Sequence, residues 1–154
     1  MNASAYEHLL LAVDFAPETK SVVERAQQLK EHCQARLTLL HVVEYLPMPY
    51  SGDLVVPDDF DLEQELLAVA KRQMAALGES LGVPTEEQYI ELGATGRAIL
   101  RLAADLGVDL IVVGSHGRHG LAALLGSTAR TVLNGAVCDV LAVRIKEESR
   151  MRPG

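Results

Sequence analysis

Little in this sequence supports a membrane, secreted or nucleic-acid-binding protein. Its two cysteines, Cys33 and Cys138, have no C-x-x-C spacing and no third partner. They read as free packing thiols, which suits a reducing compartment. No apolar run approaches the roughly 18 residues that span a bilayer. The first residues lack both a basic stretch and a small-residue cleavage site, so no signal peptide is expected and the expected location is the cytoplasm. Positive charge is also scarce: 14 Lys+Arg against 21 Asp+Glu leave a net charge of −7. Binding a nucleic-acid backbone depends on clustered positive charge, so no nucleic acid is expected as a partner. A small nucleotide stays open, because local N–H groups and a divalent ion can meet its charge.

Motifs of several nucleotide and catalytic folds are missing as well. There is no G-x-x-x-x-G-K-[ST], which excludes a P-loop enzyme. Gly114, Gly117 and Gly120 recur every third residue rather than as G-x-G-x-x-G, and they follow the fourth predicted strand rather than the first. A receiver domain needs an acidic pair after strand one and an Asp after strand three; the chain has Asp14-Phe15 and Leu92-Gly93 there. No G-x-S-x-G elbow appears.

What is present is a regular alternation. Apolar strand-like runs fall at residues 8–13, 36–43, 108–113 and 139–145, and residues 85–92 alternate polar and apolar as a half-buried edge strand does. Between them lie helical patterns at 18–34, 58–81, 94–106 and 127–136, with Pro17 placed for a first turn and Gly107 for a C-terminal cap. Leu62, Leu66, Val69, Met74 and Leu77 mark the expected apolar face of the second helix. Asp58, Asp59, Asp61, Glu63 and Glu65 form an acidic cluster suited to its N-terminal dipole. Residues 46–57 hold three prolines and a Ser-Gly pair and read as a mobile loop, and 146–154 as a frayed tail. The whole, residues 1–154, is expected to be one α/β domain. It is an open five-stranded parallel sheet with helices on both faces, Rossmann-like, in the strand order 3-2-1-4-5.

In such a sheet ligands bind beyond the carboxyl ends of the strands where the order reverses. That point lies between strands one and four, which end near Asp14 and Gly114. Gly126-Ser127-Thr128 then opens the last helix, whose first turn offers unpaired N–H donors and a positive dipole end. Val42 ends strand two beside them, where its backbone can read an adenine edge. Together these residues suit the phosphates and base of a nucleotide. Each also has a plain reading: a tight turn for the glycines, a cap for the Ser-Thr pair, a turn contact for Asp14. His116 and His119 lack acidic neighbours in the motif, which disfavours a metal site. Arg118 is a loop cation, either solvated or on a γ-phosphate. His8, His32 and His41 read as structural.

The pieces LLLAVDFAPETK, LTLLHVVE, LGATGRAILRLAADLGVDLIVVGSHG, GSTARTVL and CDVLAVRI together resemble the universal stress protein (UspA-like) family over nearly the whole length. Its ATP-binding branch carries G-x2-G-x9-G-[ST]. Here Gly114-x2-Gly117 is followed by eight residues before Gly126-Ser127. The resemblance implies the fold of the adenine nucleotide alpha hydrolase type and a cofactor ATP, or AMP or ADP, with Mg2+. It implies that Asp14 and Val42 contact the adenosine, that Val113 and Gly114 line the pocket, and that Gly117, Gly126, Ser127 and Thr128 hold phosphates. It also implies a homodimer through the last strand, where an apolar edge between Val140 and Ile145 is expected to be exposed. The reading that follows is a nucleotide-sensing regulatory module in stress response, relaying its state to a protein partner by ordering loops 46–57 and 115–125, with no catalytic residue assigned. Slow ATP hydrolysis or autophosphorylation at Ser127 or Thr128, and a dimeric interaction module with an unused pocket, stand beside it.

Overall fold

The computed structural model describes residues 5–44, 59–115 and 125–145. Five strands, β1 (His8–Ala12), β2 (Arg36–Val43), β3 (Gln88–Leu92), β4 (Leu110–Gly114) and β5 (Asp139–Val143), alternate with four helices. The helices are α1 (Lys20–Cys33), α2 (Asp59–Leu81), α3 (Thr95–Leu106) and α4 (Ser127–Gly135). All four strand pairings are parallel, in the order β3-β2-β1-β4-β5. Sheet and order are those expected from the alternation of elements.

The inner strands β1, β2 and β4 are buried on both faces, and their side chains sort by the two-residue period of a pleated strand. Leu9, Leu11, Leu37, Leu39, Leu110 and Val112 point to one side, where they pack with Val22 and Ala26 of α1 and Met74 and Leu81 of α2. Leu10, Leu40, Ile111 and Val113 point to the other, against Ile99 and Leu102 of α3 and Ala129 and Val132 of α4. In the second layer two helices meet closely. A Cβ on Gly96 would stand 2.6 Å from Thr131 Cγ2, and one on Gly135 would stand 2.6 Å from Leu100 Cδ1, so α3 and α4 cross where neither can carry a side chain.

Several boundaries differ from the sequence expectation for local reasons. Pro17–Thr19 forms a separate 3-10 turn before α1, and Thr85–Glu87 another before β3. The edge strand is therefore only five residues long, though half-buried as expected. On α2, Met74 is buried, whereas Leu62, Leu66 and Val69 are exposed; the expected apolar face holds for the second half of the helix only. In the last strand it is the backbone edge that is open. Val140, Leu141 and Ala142 are half-buried, and Val143 and Ile145 are buried, so the exposed apolar edge expected there is not made of side chains. Cys33 is buried and Cys138 half-buried, both free; burial pushes the Cys138 thiol pKa up and keeps it protonated. Residues 46–57, His116, Gly117, Arg118, His119, Gly120 and the 146–154 tail lie outside the described residues. No helix among the described residues is long and apolar enough to cross a membrane.

Candidate functional site

β1 and β4 are neighbours, but the chain leaves them in opposite directions, β1 toward β2 and β4 toward β5. Their exit loops diverge and leave a crevice at the carboxyl end of the sheet. It encloses about 190 Å³. Asp14 and Thr19 line it from the β1–α1 connection, Gly114 from the end of β4, Thr95 from the start of α3, and Gly126, Ser127 and Thr128 from the start of α4.

The β1–α1 connection is held by Asp14. Its Oδ1 accepts the Ala16 N–H and the Thr19 hydroxyl, each at 2.9 Å. This tight loop carries Phe15 at φ +62°, a left-handed conformation uncommon for a side-chain-bearing residue. The Phe15 ring lies 4.5 Å, centroid to centroid, from His41 of β2. His41 Nδ1 sits 2.7 Å from the Val13 carbonyl oxygen. A carbonyl only accepts, so Nδ1 carries the proton and the ring ties the end of β2 to the loop. The histidine is structural, as expected, and it buttresses the crevice.

On the opposite wall, Gly126 is the residue before α4, with no side-chain cap. Arg130 N–H makes the first helical bond, to the Gly126 carbonyl, so the amides of Ser127, Thr128 and Ala129 have no partner within the helix. Ser127 is thus the first helical residue, and the plain reading of the Ser-Thr pair as a cap does not hold. The Gly126 N–H donates to Ser115 O at 2.7 Å, and Ser115 N–H donates to Val143 O at 2.8 Å, which fixes the helix start to the ends of β4 and β5. Gly114 has a packing reason too: a Cβ there would stand 2.8 Å from Ile145 Cδ1 and 3.4 Å from Val22 Cγ2.

Of the residues read from the sequence, the fold brings Asp14, Gly114, Gly126, Ser127 and Thr128 to one crevice. The side chains of Val42 and Val113 are buried in the layer beneath α3 and α4; the expectation for Val42 concerned its backbone. Gly117 and Arg118 fall outside the described residues. Thr19 and Thr95 were not singled out. Thr95 opens α3, and its N–H and hydroxyl both donate to Glu44 Oε2, at 3.0 and 2.6 Å. Those bonds hold the Glu44 pKa below the usual carboxylate range. The available signal was a threonine opening the helix that follows a strand end, the position from which side chains reach such a crevice.

Sheet order and crevice define a doubly wound α/β protein whose polar residues converge at the switch point. The chain belongs to the universal stress protein family, which it matches over residues 5–144. It is 40% identical over 142 residues to universal stress protein A homolog 1 of Coxiella burnetii, covering 92% of this chain and 99% of that protein. Universal stress protein UspA from Lactobacillus plantarum has the same fold, with a TM-score of 0.71 at 26% identity, covering 90% of this chain and 98% of that one. A universal stress protein in complex with cAMP matches with a TM-score of 0.63 at 26% identity, covering 93% and 100% of the two chains.

Proposed function

We propose that the chain binds an adenine nucleotide, ATP with AMP and ADP as competitors, in the crevice between β1 and β4. The complex acts as a cytoplasmic regulatory module in stress response, passing its nucleotide state to a protein partner. One observation carries this reading: the uncapped first turn of α4 and the Asp14 carboxylate face the same crevice. The amides of Ser127, Thr128 and Ala129, without a partner in the helix, and the helix dipole suit phosphate oxygens. Asp14 offers only acceptors and would repel a phosphate, so it suits ribose hydroxyls or the adenine amino group. The cAMP complex of a relative supports an adenine nucleotide as the class of ligand. The described crevice, about 190 Å³, is smaller than the roughly 300–1,000 Å³ of sites that engulf a small ligand. Part of the nucleotide would therefore lie at the open mouth. Mg2+ would enter bound to the phosphates.

The open edge of β5 supports a homodimer of this chain through that strand, since an unpaired edge calls for cover. Val137, 90% exposed, lies two residues before that strand in sequence. The test of the nucleotide reading is calorimetric titration with ATP, ADP and AMP, joined to mass spectrometry of any nucleotide released on denaturing fresh protein. Asp14→Ala should weaken binding at least tenfold, and Gly117→Val should abolish it. Absence of binding by the parent chain, or unchanged binding by both variants, refutes the reading.

A further inference from the structure

The first half of α2 carries an apolar row that the described structure leaves uncovered. Leu62, Leu66 and Val69 are 47%, 37% and 44% exposed, and their spacing of four and three sets them in one line along the helix. The line is displaced by one residue, about 100°, from the buried face of Ala70, Met74 and Leu81. Farther along, it continues as Gln73 and Ala76, which face Val23 and Gln27 of α1 across a groove of about 510 Å³.

The exposure follows from unequal lengths. α2 has 23 residues and α1 has 14. Lys30 Nζ donates to the Leu81 carbonyl at 3.2 Å, so the two helices are tied at their C-terminal ends. At about 1.5 Å per residue, α1 therefore begins alongside the middle of α2. The turns carrying Leu62, Leu66 and Val69 run past it.

We propose that this row docks a second copy of the chain, α2 against α2, antiparallel across a two-fold axis near residues 67–68. The flanking charges select both occupant and direction. Glu65 and Arg72 are exposed, and each stands one residue before a position of the row, Leu66 and Gln73, so both flank the same side. Antiparallel pairing of Leu66 with Val69 of the second copy brings Glu65 of each copy to Arg72 of the other. A parallel two-fold arrangement would carry this flank of the two copies to opposite sides of the contact and leave Glu65 and Arg72 out of each other's reach. The surface is thus self-complementary in one orientation only, as an isologous contact requires. A uniformly acidic or basic partner would match half of it. From Leu62 to Gln73 the row spans about 16 Å, too short for the roughly 1,200–2,000 Å² of a stable interface. The contact is therefore a concentration-dependent step, separate from any pairing at the β5 edge.

Sedimentation velocity of the full chain from micromolar to near-millimolar concentration, at low salt, tests this. A doubling of whatever species the dilute protein forms is expected. Leu66→Glu should move it at least tenfold higher in concentration, and either Glu65→Arg or Arg72→Glu about threefold to tenfold higher. The combined reversal Glu65→Arg with Arg72→Glu should restore it. These charges are exposed, so the reversal series keeps the test valid even where Leu66→Glu misfolds. No doubling in the parent chain, or no recovery in the combined reversal, overturns the proposal.

Discussion

The two ends of the sheet use polar groups in opposite ways. At the N-terminal ends of the strands they are spent on one another. His8 Nε2 lies 2.7 Å from Thr38 Oγ1, whose hydroxyl donates to Glu87 Oε1 at 2.7 Å, while Arg36 Nε reaches Glu87 Oε2 at 2.6 Å. The single Thr38 proton goes to the carboxylate, so His8 must donate from Nε2. Asp109 Oδ1 and Oδ2 accept the Glu7 N–H at 3.2 and 2.9 Å, and Oδ1 also accepts the His8 N–H at 3.0 Å. At the C-terminal ends, three amides at the start of α4 remain without a partner in the helix, and Phe15 holds an unfavourable backbone conformation. One end spends its polar groups on the fold; the other leaves donors without a partner in the helix and carries a strained residue, the arrangement that the proposed nucleotide site would use.

The comparison breaks most visibly at Thr38, which is fully buried. Thr38→Val keeps the shape and orphans both the His8 donor and the Glu87 acceptor. A loss of about 2–4 kcal/mol is expected in urea unfolding, with nucleotide affinity unchanged; a parallel fall in affinity would show that the two ends are coupled. Gly114→Val should act at both levels. It forces Ile145 and Val22 to yield, at about 1–3 kcal/mol, and narrows the crevice, so unfolding midpoint and ATP titration should fall together.

The smallest expected effect is a pH slope. Burial, and next the nearby Arg36 charge, lower the His8 pKa. The unfolded chain therefore takes up its proton first as pH falls. Stability contributed by neutral His8 is fully present above the unfolded value of about 6.5 and declines as pH drops below it. For Glu87, burial acts to raise the pKa, but hydrogen bonds from Arg36 and Thr38 outweigh it and the net shift is downward. Its contribution is lost at lower pH still, through the carboxylate range. Urea midpoints of the parent and of His8→Gln between pH 7.5 and 5.5 sharpen the point: the variant should lose that part of the slope. An equal slope in both places the acid sensitivity elsewhere.

Much of this was legible in residue order. Two-residue and helical periodicities placed every strand and helix, and a glycine after Leu106 marked a left-handed cap, found at φ +69°. Asp14, Gly114 and Gly126-Ser127-Thr128 could be picked out because each lies where an element ends. Val42 and Val113 read as inward from their period, but only the packed sheet shows that their side chains enter the layer beneath α3 and α4. Thr95 was missed because its partner, Glu44, stands 51 residues away. Leu62, Leu66 and Val69 carry a core pattern, yet only the relative lengths of α1 and α2 decide that they lie uncovered.

Local pattern by itself determined the parallel α/β architecture, the absence of a membrane-spanning helix among the described residues, and the family. These depend on hydrophobic period and on turn chemistry, which act over a few residues. The tertiary structure alone decided that Thr19 and Thr95 join Asp14 and the start of α4, and that Gly114 answers to Ile145. Those outcomes depend on which distant segments share a volume, and that is set by packing across the sheet rather than by any one stretch of chain.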